Sequence, residues 1–406
     1  MLPESLIDQW VTQLEQRQEN ISNFVIATIA KRVREIGEMS ASDLHKLDML
    51  FRSGADIHKI NKEIARLTKL QVRAIENMLT DIARSAYLDA KQLFEYKGKT
   101  FIPFEENKPL QRVVRAISKQ TAGTYMNLSK SQAFMIRDLQ NPKILKATPL
   151  SKAYQSVVDE AVQATQSGVI DYHSAMRRTM TQLVDSGIQG TVYESETGRV
   201  THQRLDTAVR RNVLDGVRAV NQGVQDVVGE QFGADGKEIT VHECPAPDHE
   251  YLQGHQFTNE EYEKLQTDED FQDVNGRKFR AVRRAIGTLN CRHFTFSIIV
   301  GFSTPAHTQE ELNAIIKRNH DGYTDAKGKH RTLYECTQVQ RRLETKVRKM
   351  KDGQIAARMS GDAELARWYQ AKVNQYTATY KTFSKQCGLP TFPTKMTVKG
   401  YHKISV

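Results

Sequence analysis

At 406 residues, 39% apolar and 26% charged, the chain is long enough for two or three domains, each able to bury its own core. Its longest apolar run, "SIIVGF" (297 to 302), is far short of the roughly 20 residues a membrane span needs, and four cysteines are too sparse for a disulfide framework. The net charge of +10 lies in the last hundred residues: 307 to 406 hold 19 Lys/Arg against 9 Asp/Glu, and the first 306 residues balance to zero. Such a basic segment either meets a polyanion or an acidic protein surface, or is a solvated helix face that aids solubility. At the N-terminus, "MLPESLIDQWVTQLEQ" has acidic residues where a secretory signal carries a basic start, and no apolar core follows them.

The first 230 residues read as almost wholly helical. From Ile57 to Ile82, the apolar residues Ile57, Ile60, Ile64, Leu67, Val72, Ile75, Leu79 and Ile82 recur at spacings of three and four, as two stripes that predict packing against more than one neighbour. Ser53, Gly54 and Asp56 offer a cap before this helix, and "EYKGKTFIPFEENKP" (95 to 109) breaks the chain after it. A second helical region runs from about 110 to 187, interrupted near 141 to 151 and ended by Gly187 and Gly190.

The pattern then changes. "GTVYESETGRVTH" (190 to 202) reads as a hairpin turning at "SETGR", with Gly198 in the turn. Leu205, Val209, Val213, Val217, Val220, Val224 and Val228 follow at helical spacing and predict a helix over 203 to 231. Because Val is not among the best helix formers, a buried face must hold it. "GADGKEITVHE" (233 to 243) and "CRHFTFSIIVG" (291 to 301) read as strands, with a short helix at "NEEYEKLQ" (259 to 266) and a basic run at 276 to 284 between them.

Beyond 306 the chain returns to helix. Val339, Leu343, Val347 and Met350 form an apolar stripe flanked by Arg341, Arg342, Lys346, Arg348, Lys349 and Lys351, a candidate phosphate-binding set. Gly353 and Gly361 loosen the chain before a second helix with Leu365, Trp368, Tyr369 and Val373. "CGLPTFPTK" (387 to 395) ends that helix, and "MTVKGYHKISV" (396 to 406) reads as a terminal strand or arm. The expected fold is therefore mainly α with a smaller α+β domain: a helical region 1–148, an α+β region 149–306 with a small sheet around residues 190–305, and a basic helical region 307–406.

One concentration of chemistry stands out. His242, Cys244, His249 and His255 fall within fourteen residues, and Cys291 and His293 follow some thirty-five residues later, in a chain with four cysteines and twelve histidines. Zinc commonly takes two Cys or His ligands from each of two nearby segments, so His242 and His249 with Cys291 and His293 form a candidate set, with Cys244 in reserve. The internal spacings match no standard finger. Hydrogen-bonded histidines and a buried cysteine bracing a loop-rich region are the competing reading. "HECPAPDH" (242 to 249) lacks the helical His-Glu-x-x-His spacing, and its two prolines exclude a helix. A Cys291–His249 nucleophile pair, or a metal-dependent nuclease using Asp248, has no sequence signature, and no phosphate loop or nucleotide-binding glycine pattern is present.

These residues carry a resemblance. His242, Pro247-Asp248-His249, Gln253-Gly254, Gly287 and Asn290-Cys291-Arg292-His293 resemble the signature of the phage minor capsid protein 2 family, allied to the Mu-type head morphogenesis proteins of tailed bacteriophages. "YESETGRV" before "RLDTAVRRNVLDGV" and "YECTQVQRRLETKVRKMK" (334 to 351) extend it over roughly 150 to 400. The chain departs from the family at Ala246, where an Arg is usual, and at Glu243 and Cys244, where a small or aromatic pair is usual. In Mu-type relatives some positions matching His249 and His293 are Cys, an exchange that keeps zinc ligation.

The resemblance implies a low-copy structural protein of the phage head rather than an enzyme. It would associate with the portal protein at the portal vertex, inside the capsid beside packaged double-stranded DNA, after assembly in the host cytoplasm. Residues 1–148 would dock on the portal or capsid, and the major capsid and scaffolding proteins are further expected partners. The other readings are a non-specific DNA-binding virion protein ejected with the genome and a metal-dependent nuclease or hydrolase. Structural zinc is the one cofactor the cluster suggests, and no appended effector domain is expected after the signature.

Overall fold

The computed structural model describes every residue except 1–3, 38–47, 138–144, 155, 158–171, 195–199, 268–269, 273–275, 280–284, 288–290, 292 and 406. Long helices dominate, with small antiparallel sheets between them, so the fold is mainly α with a smaller α+β part, as the sequence predicts.

Helices α1 (Glu4–Gly37) and α2 (Asp48–Asp89) are followed by the short α3 (Lys91–Tyr96) and by α4 (Lys108–Lys130). The Ile57 to Ile82 stripe is real: Ile60, Ile75, Leu79 and Ile82 are buried in the main core, with Ile57, Ile64 and Val72 packed at its margin. The cap expected at Ser53 to Asp56 is not there, because α2 is already helical from Asp48 and runs through those positions. The break after it is confirmed. Asn107 caps α4 by accepting the Leu110 amide at 3.1 Å, with Pro109 in the first turn. Tyr125 ties three helices together, since its buried hydroxyl meets Gln18 of α1 at 2.9 Å and Gln71 of α2.

The expected helical region from 110 to 187 is corrected. After α4 come β1 (Ala133–Arg137) and β2 (Leu145–Pro149); helix resumes at Leu150, directly after β2, and the next helix with described bounds is α5 (Tyr172–Ser186). "AFMIR" is a short apolar run that periodicity cannot assign to helix or strand, and pairing decides it. Gly187 ends α5 at φ 59°, whereas Gly190 lies inside β3 (Ile188–Glu194). With β4 (Val200–Arg204) these strands form an antiparallel sheet in the order β2-β1-β3-β4. The hairpin of β3 and β4 is the one predicted, while its "SETGR" turn lies outside the described residues.

The valine helix, α6 (Leu205–Phe232), is the axis of the molecule. Val209, Val213, Val220 and Val224 are completely buried, and the core around them takes residues from α1, α2 and α4 and also Ala356, Ala357, Ala366 and Tyr369 from the C-terminal helices. Burial of each such side chain contributes roughly 1.5–3 kcal/mol, which offsets the modest helix propensity of Val.

A second sheet packs on α6. β5 (Gly236–Ile239) is its central strand, flanked by β6 (Gln256–Thr258) and, after α7 (Asn259–Gln266) and the short pair β7 (Phe271–Gln272) and β8 (Lys278–Phe279), by β9 (Thr295–Ile298). Ser297 of β9 donates to the Gln225 carbonyl of α6 at 2.9 Å. Among the described residues the predicted small sheet is therefore two separate sheets and the β7–β8 pair, and the first draws on residues before 150.

The C-terminal region holds α8 (Gln309–Asp321), the short pair β10 (Tyr323–Thr324) and β11 (His330–Arg331), α9 (Leu333–Met359) and α10 (Ala363–Gln386). Thr258-Glu261, Thr308-Glu311 and Thr332-Glu335 form capping boxes that start α7, α8 and α9. Gly353 does not loosen the chain as expected. It sits within α9 because a Cβ there would lie 2.3 Å from the Tyr369 ring, so glycine lets α10 approach.

The last segment is an arm rather than a strand. After the short 3-10 turn Pro393–Met396, its carbonyls accept from side chains: Lys395 from Arg348 at 2.7 Å, Met396 from Lys351 at 2.6 Å and His402 from Gln354 at 2.6 Å. Where α9 crosses the start of α6, four buried or nearly buried charges meet. Asp206 faces Arg348 and Arg204, both at 3.3 Å, and Arg204 reaches Asp352 at 3.7 Å.

Candidate functional site

The residues singled out by the sequence lie on an excursion that leaves β5 and returns as β6. Its neck is closed by backbone bonds: the Gly254 amide donates to the Ile239 carbonyl at 2.8 Å, and the Ile239 amide to the His255 carbonyl at 3.2 Å. Pro245 and Pro247 keep the start of the loop out of a helix, and the Ala246 carbonyl then accepts both the His249 and Glu250 amides at 2.9 Å. Gly254, at φ 73°, is pressed against Leu312 of α8, where a Cβ would lie 2.5 Å from a methyl carbon. Helix α8 straps the loop from outside. Asn319 donates to Glu250 at 3.1 Å, His320 pairs with the same carboxylate at 3.0 Å, and Arg318 forms a forked pair with Glu243.

Cys291 and His293 come from the segment just before β9, which Thr240 holds in place. Its amide donates to the Phe294 carbonyl and its hydroxyl accepts the Phe294 amide, both at 2.9 Å. The result is a convergent cluster. The sulfur of Cys291 lies 3.2 Å from His249 Nδ1 and 3.4 Å from His293 Nδ1, and all three residues are almost fully buried. Both imidazoles are also held from behind: His249 Nε2 is 3.6 Å from the Asp248 carboxylate, and His293 Nε2 is 3.4 Å from Gln253 Oε1. Gln253 Oε1 also accepts the His242 amide at 3.0 Å.

Burial raises the Cys291 thiol pKa, but the hydrogen bond and charge of His249, with the backbone amides of Gly287 and His293, outweigh it and leave the pKa below the ordinary range. The buried sulfur presents almost no surface to a substrate, in contrast to reactive cysteines, which are partly exposed. A cleft lined by Ile286, Gly287, Tyr262, Arg218 and Gln222 reaches the cluster at His293.

Of the four ligands expected from spacing, three meet. His242 stands beside them, its ring centroid 4.5 Å from that of His293, yet the described group of converging donor atoms is His249, Cys291 and His293 alone. Cys244 is half-buried and outside the group. His255 faces away, with its Nδ1 2.9 Å from Arg277. Spacing does not reveal Gln253 as the residue that holds His293 and His242; the one signal for it is its place in the run Gln253-Gly254.

The model of the family described as phage minor capsid protein 2 matches residues 3–385. The chain belongs to this family. No curated protein and no solved structure matches it. As a minor capsid protein it is a structural component of the phage head and assembles with other head components in the virion. No helix among the described residues is long and apolar enough to cross a membrane.

Placed on this capsid protein, several signature positions acquire a reason. Gly254 admits Leu312, Gly287 bonds the Cys291 sulfur through its backbone, and Gln253 orients two histidines. The departure at Ala246 leaves the turn intact, because the carbonyl carries it. Asn290 and Arg292 lie outside the described residues, as does 280–284 of the basic run.

The six basic residues expected to grip phosphate divide in two. Arg348 is buried against Asp206, Lys349 pairs with Asp185 at 2.8 Å, and Lys351 donates to the Met396 carbonyl. These cations are engaged within the fold. Arg341, Arg342 and Lys346 remain exposed on α9, on the stretch whose inner side meets α10 at Gln340–Ser384 and Glu344–Tyr380. That end of α10 exposes Lys381 and Lys385.

Proposed function

We propose that this minor capsid protein is a low-copy structural element of the portal vertex, held inside the capsid beside the packaged double-stranded DNA. The observation that carries the reading is membership of the minor capsid family over nearly the whole chain. The fold is consistent with it. A rigid helical body, tied through α6, suits a permanent structural role, and the apolar side chains Leu70, Leu88, Tyr96 and Ile102 on and after α2 remain exposed for a neighbouring head protein. Residues 1–148 dock on the portal or capsid in this reading, while Arg341, Arg342, Lys346, Lys381 and Lys385 form the phosphate-facing surface.

Quantitative mass spectrometry of purified DNA-filled particles tests it. A few to about a dozen copies per particle, scaled to the portal protein, support a portal-linked position; absence from the particle removes it. DNA contact has its own check: replacing Arg341, Arg342 and Lys346 by Gln should weaken DNA binding and flatten its salt dependence by about 0.9 log unit per lost phosphate contact. Unchanged binding and slope would remove that surface.

A further inference from the structure

The cluster around Cys291 brings one sulfur and two imidazoles to a single buried point. The Asp248 carboxylate lies 3.6 Å from His249 Nε2 and Gln253 Oε1 lies 3.4 Å from His293 Nε2, and each imidazole turns its Nδ1 toward the same sulfur. His249, Cys291 and His293 thus place one ligand atom each within 4.8 Å of one another, an arrangement of nitrogen and sulfur donors that suits a metal cation.

The distances fit one. A tetrahedral zinc ion at about 2.3 Å from sulfur and about 2.05 Å from nitrogen sets the sulfur and nitrogen roughly 3.6 Å apart. The separations here, 3.2 and 3.4 Å, are within a few tenths of an ångström of that. The outer contacts complete the pattern. Metal-bound histidines typically donate their far N–H to a carboxylate or carbonyl, as Asp248 and Gln253 allow here. The mixed soft and borderline donor set selects zinc over magnesium or calcium, which take oxygen. The cleft lined by His293 opens beside the cluster.

We infer that His249, Cys291 and His293 hold a zinc ion that pins the β5–β6 loop to the segment leading into β9, with Asp248 and Gln253 as positioning residues and water as the fourth ligand. His242 and Cys244 are not ligands.

The test uses the full chain, loaded with Zn²⁺ or Co²⁺ alone after chelation and dialysis. The expected result is one tightly bound ion per chain, a cobalt spectrum with intense tetrahedral bands and a sulfur-to-cobalt charge-transfer band, and a higher melting temperature with zinc than without. Cys291→Ser should abolish the charge-transfer band, and Gln253→Ala should weaken binding by about 10-fold to 100-fold. Cys244→Ser and His242→Ala should keep the ion. A wild-type chain that binds no cobalt, or whose cobalt spectrum lacks the sulfur band, overturns the site even if Cys291→Ser fails to fold. Loss of the ion in His242→Ala or Cys244→Ser overturns the ligand set.

Discussion

Two buried polar clusters among the described residues are built in opposite ways. At the crossing of α6 and α9, two carboxylates, Asp206 and Asp352, meet two guanidinium groups, Arg204 and Arg348, so charge is compensated within the chain. At the loop off β5, His249, Cys291 and His293 instead converge as metal-ligating donor atoms, with no carboxylate–guanidinium pair among the three. The first cluster pairs acid with base inside the chain. The second is the one for which we infer a zinc ion. Burial alone therefore does not mark a site; what marks it here is the convergence of ligand atoms of the right chemistry.

The sharpest way to break the comparison is to make the first cluster unbalanced. Arg348→Met removes one of the two partners of Asp206, leaving Arg204, and also the donor that anchors the arm at the Lys395 carbonyl. Fully stranding a buried charge costs about 3–5 kcal/mol, and Arg204 offsets part of that here. Urea unfolding of the variant should show a loss between about 1 and 5 kcal/mol, whereas a change below about 1 kcal/mol would mean that Arg204 alone suffices for Asp206.

How far this contrast could be read from the sequence depends on which interactions are local. The valine helix was legible because seven apolar residues at spacings of three and four leave no other buried face, and "NEEYEKLQ" was legible with its bounds unchanged. β1 and β2 were not, since five-residue segments take their structure from partners, here Phe134 opposite Thr148 and Ile188. Gly353 misled for a similar reason: its role is set by Tyr369 of the next helix. In the site, residue types and spacing gathered His249, Cys291 and His293, but not which histidine stays out. The fates of Arg348, Lys349 and Lys351 were equally hidden, because a basic residue beside an apolar stripe looks the same in sequence whether it faces water or a buried carboxylate.

Titration separates the two carboxylates of the balanced cluster. For Asp206, burial alone would raise the pKa, but the charges of Arg204 and Arg348 and the Thr207 amide outweigh it and hold it at about 2. Its ionised form is favoured by folding, so its contribution is present above the unfolded pKa of about 4 and is lost as pH falls toward 2; it amounts to roughly 2 kcal/mol. Asp352 goes the other way, because desolvation and the charge of Asp206 raise its pKa above the ordinary range. Folding then favours its protonated form, and stability declines as pH rises from about 4 until the folded group ionises. Asp206→Asn should therefore be destabilising at pH 7 and much less so at pH 2. Asp352→Asn, which fixes the neutral form, should match wild type near pH 4 and equal or exceed it at pH 8. Melting curves across that range decide it, and a large loss in Asp352→Asn at pH 8 would show that its ionised pair with Arg204 outweighs the desolvation.

The smallest expected effect sharpens the other side of the comparison. Arg318 and Glu243 make a forked ion pair across the loop, but both side chains are more than half exposed, at 52% and 68%. Exposed pairs typically contribute between nothing and about 1 kcal/mol, since water screens the charges and two long side chains lose freedom in pairing. The same helix reaches the loop through Asn319 and Leu312, which are buried. Arg318→Ala should thus shift stability by less than about 1 kcal/mol and leave cobalt binding at Cys291 unchanged. If it instead weakened cobalt binding severalfold, the strap and the cluster would be mechanically coupled, and the loop's position would depend on α8 as much as on any ion it holds.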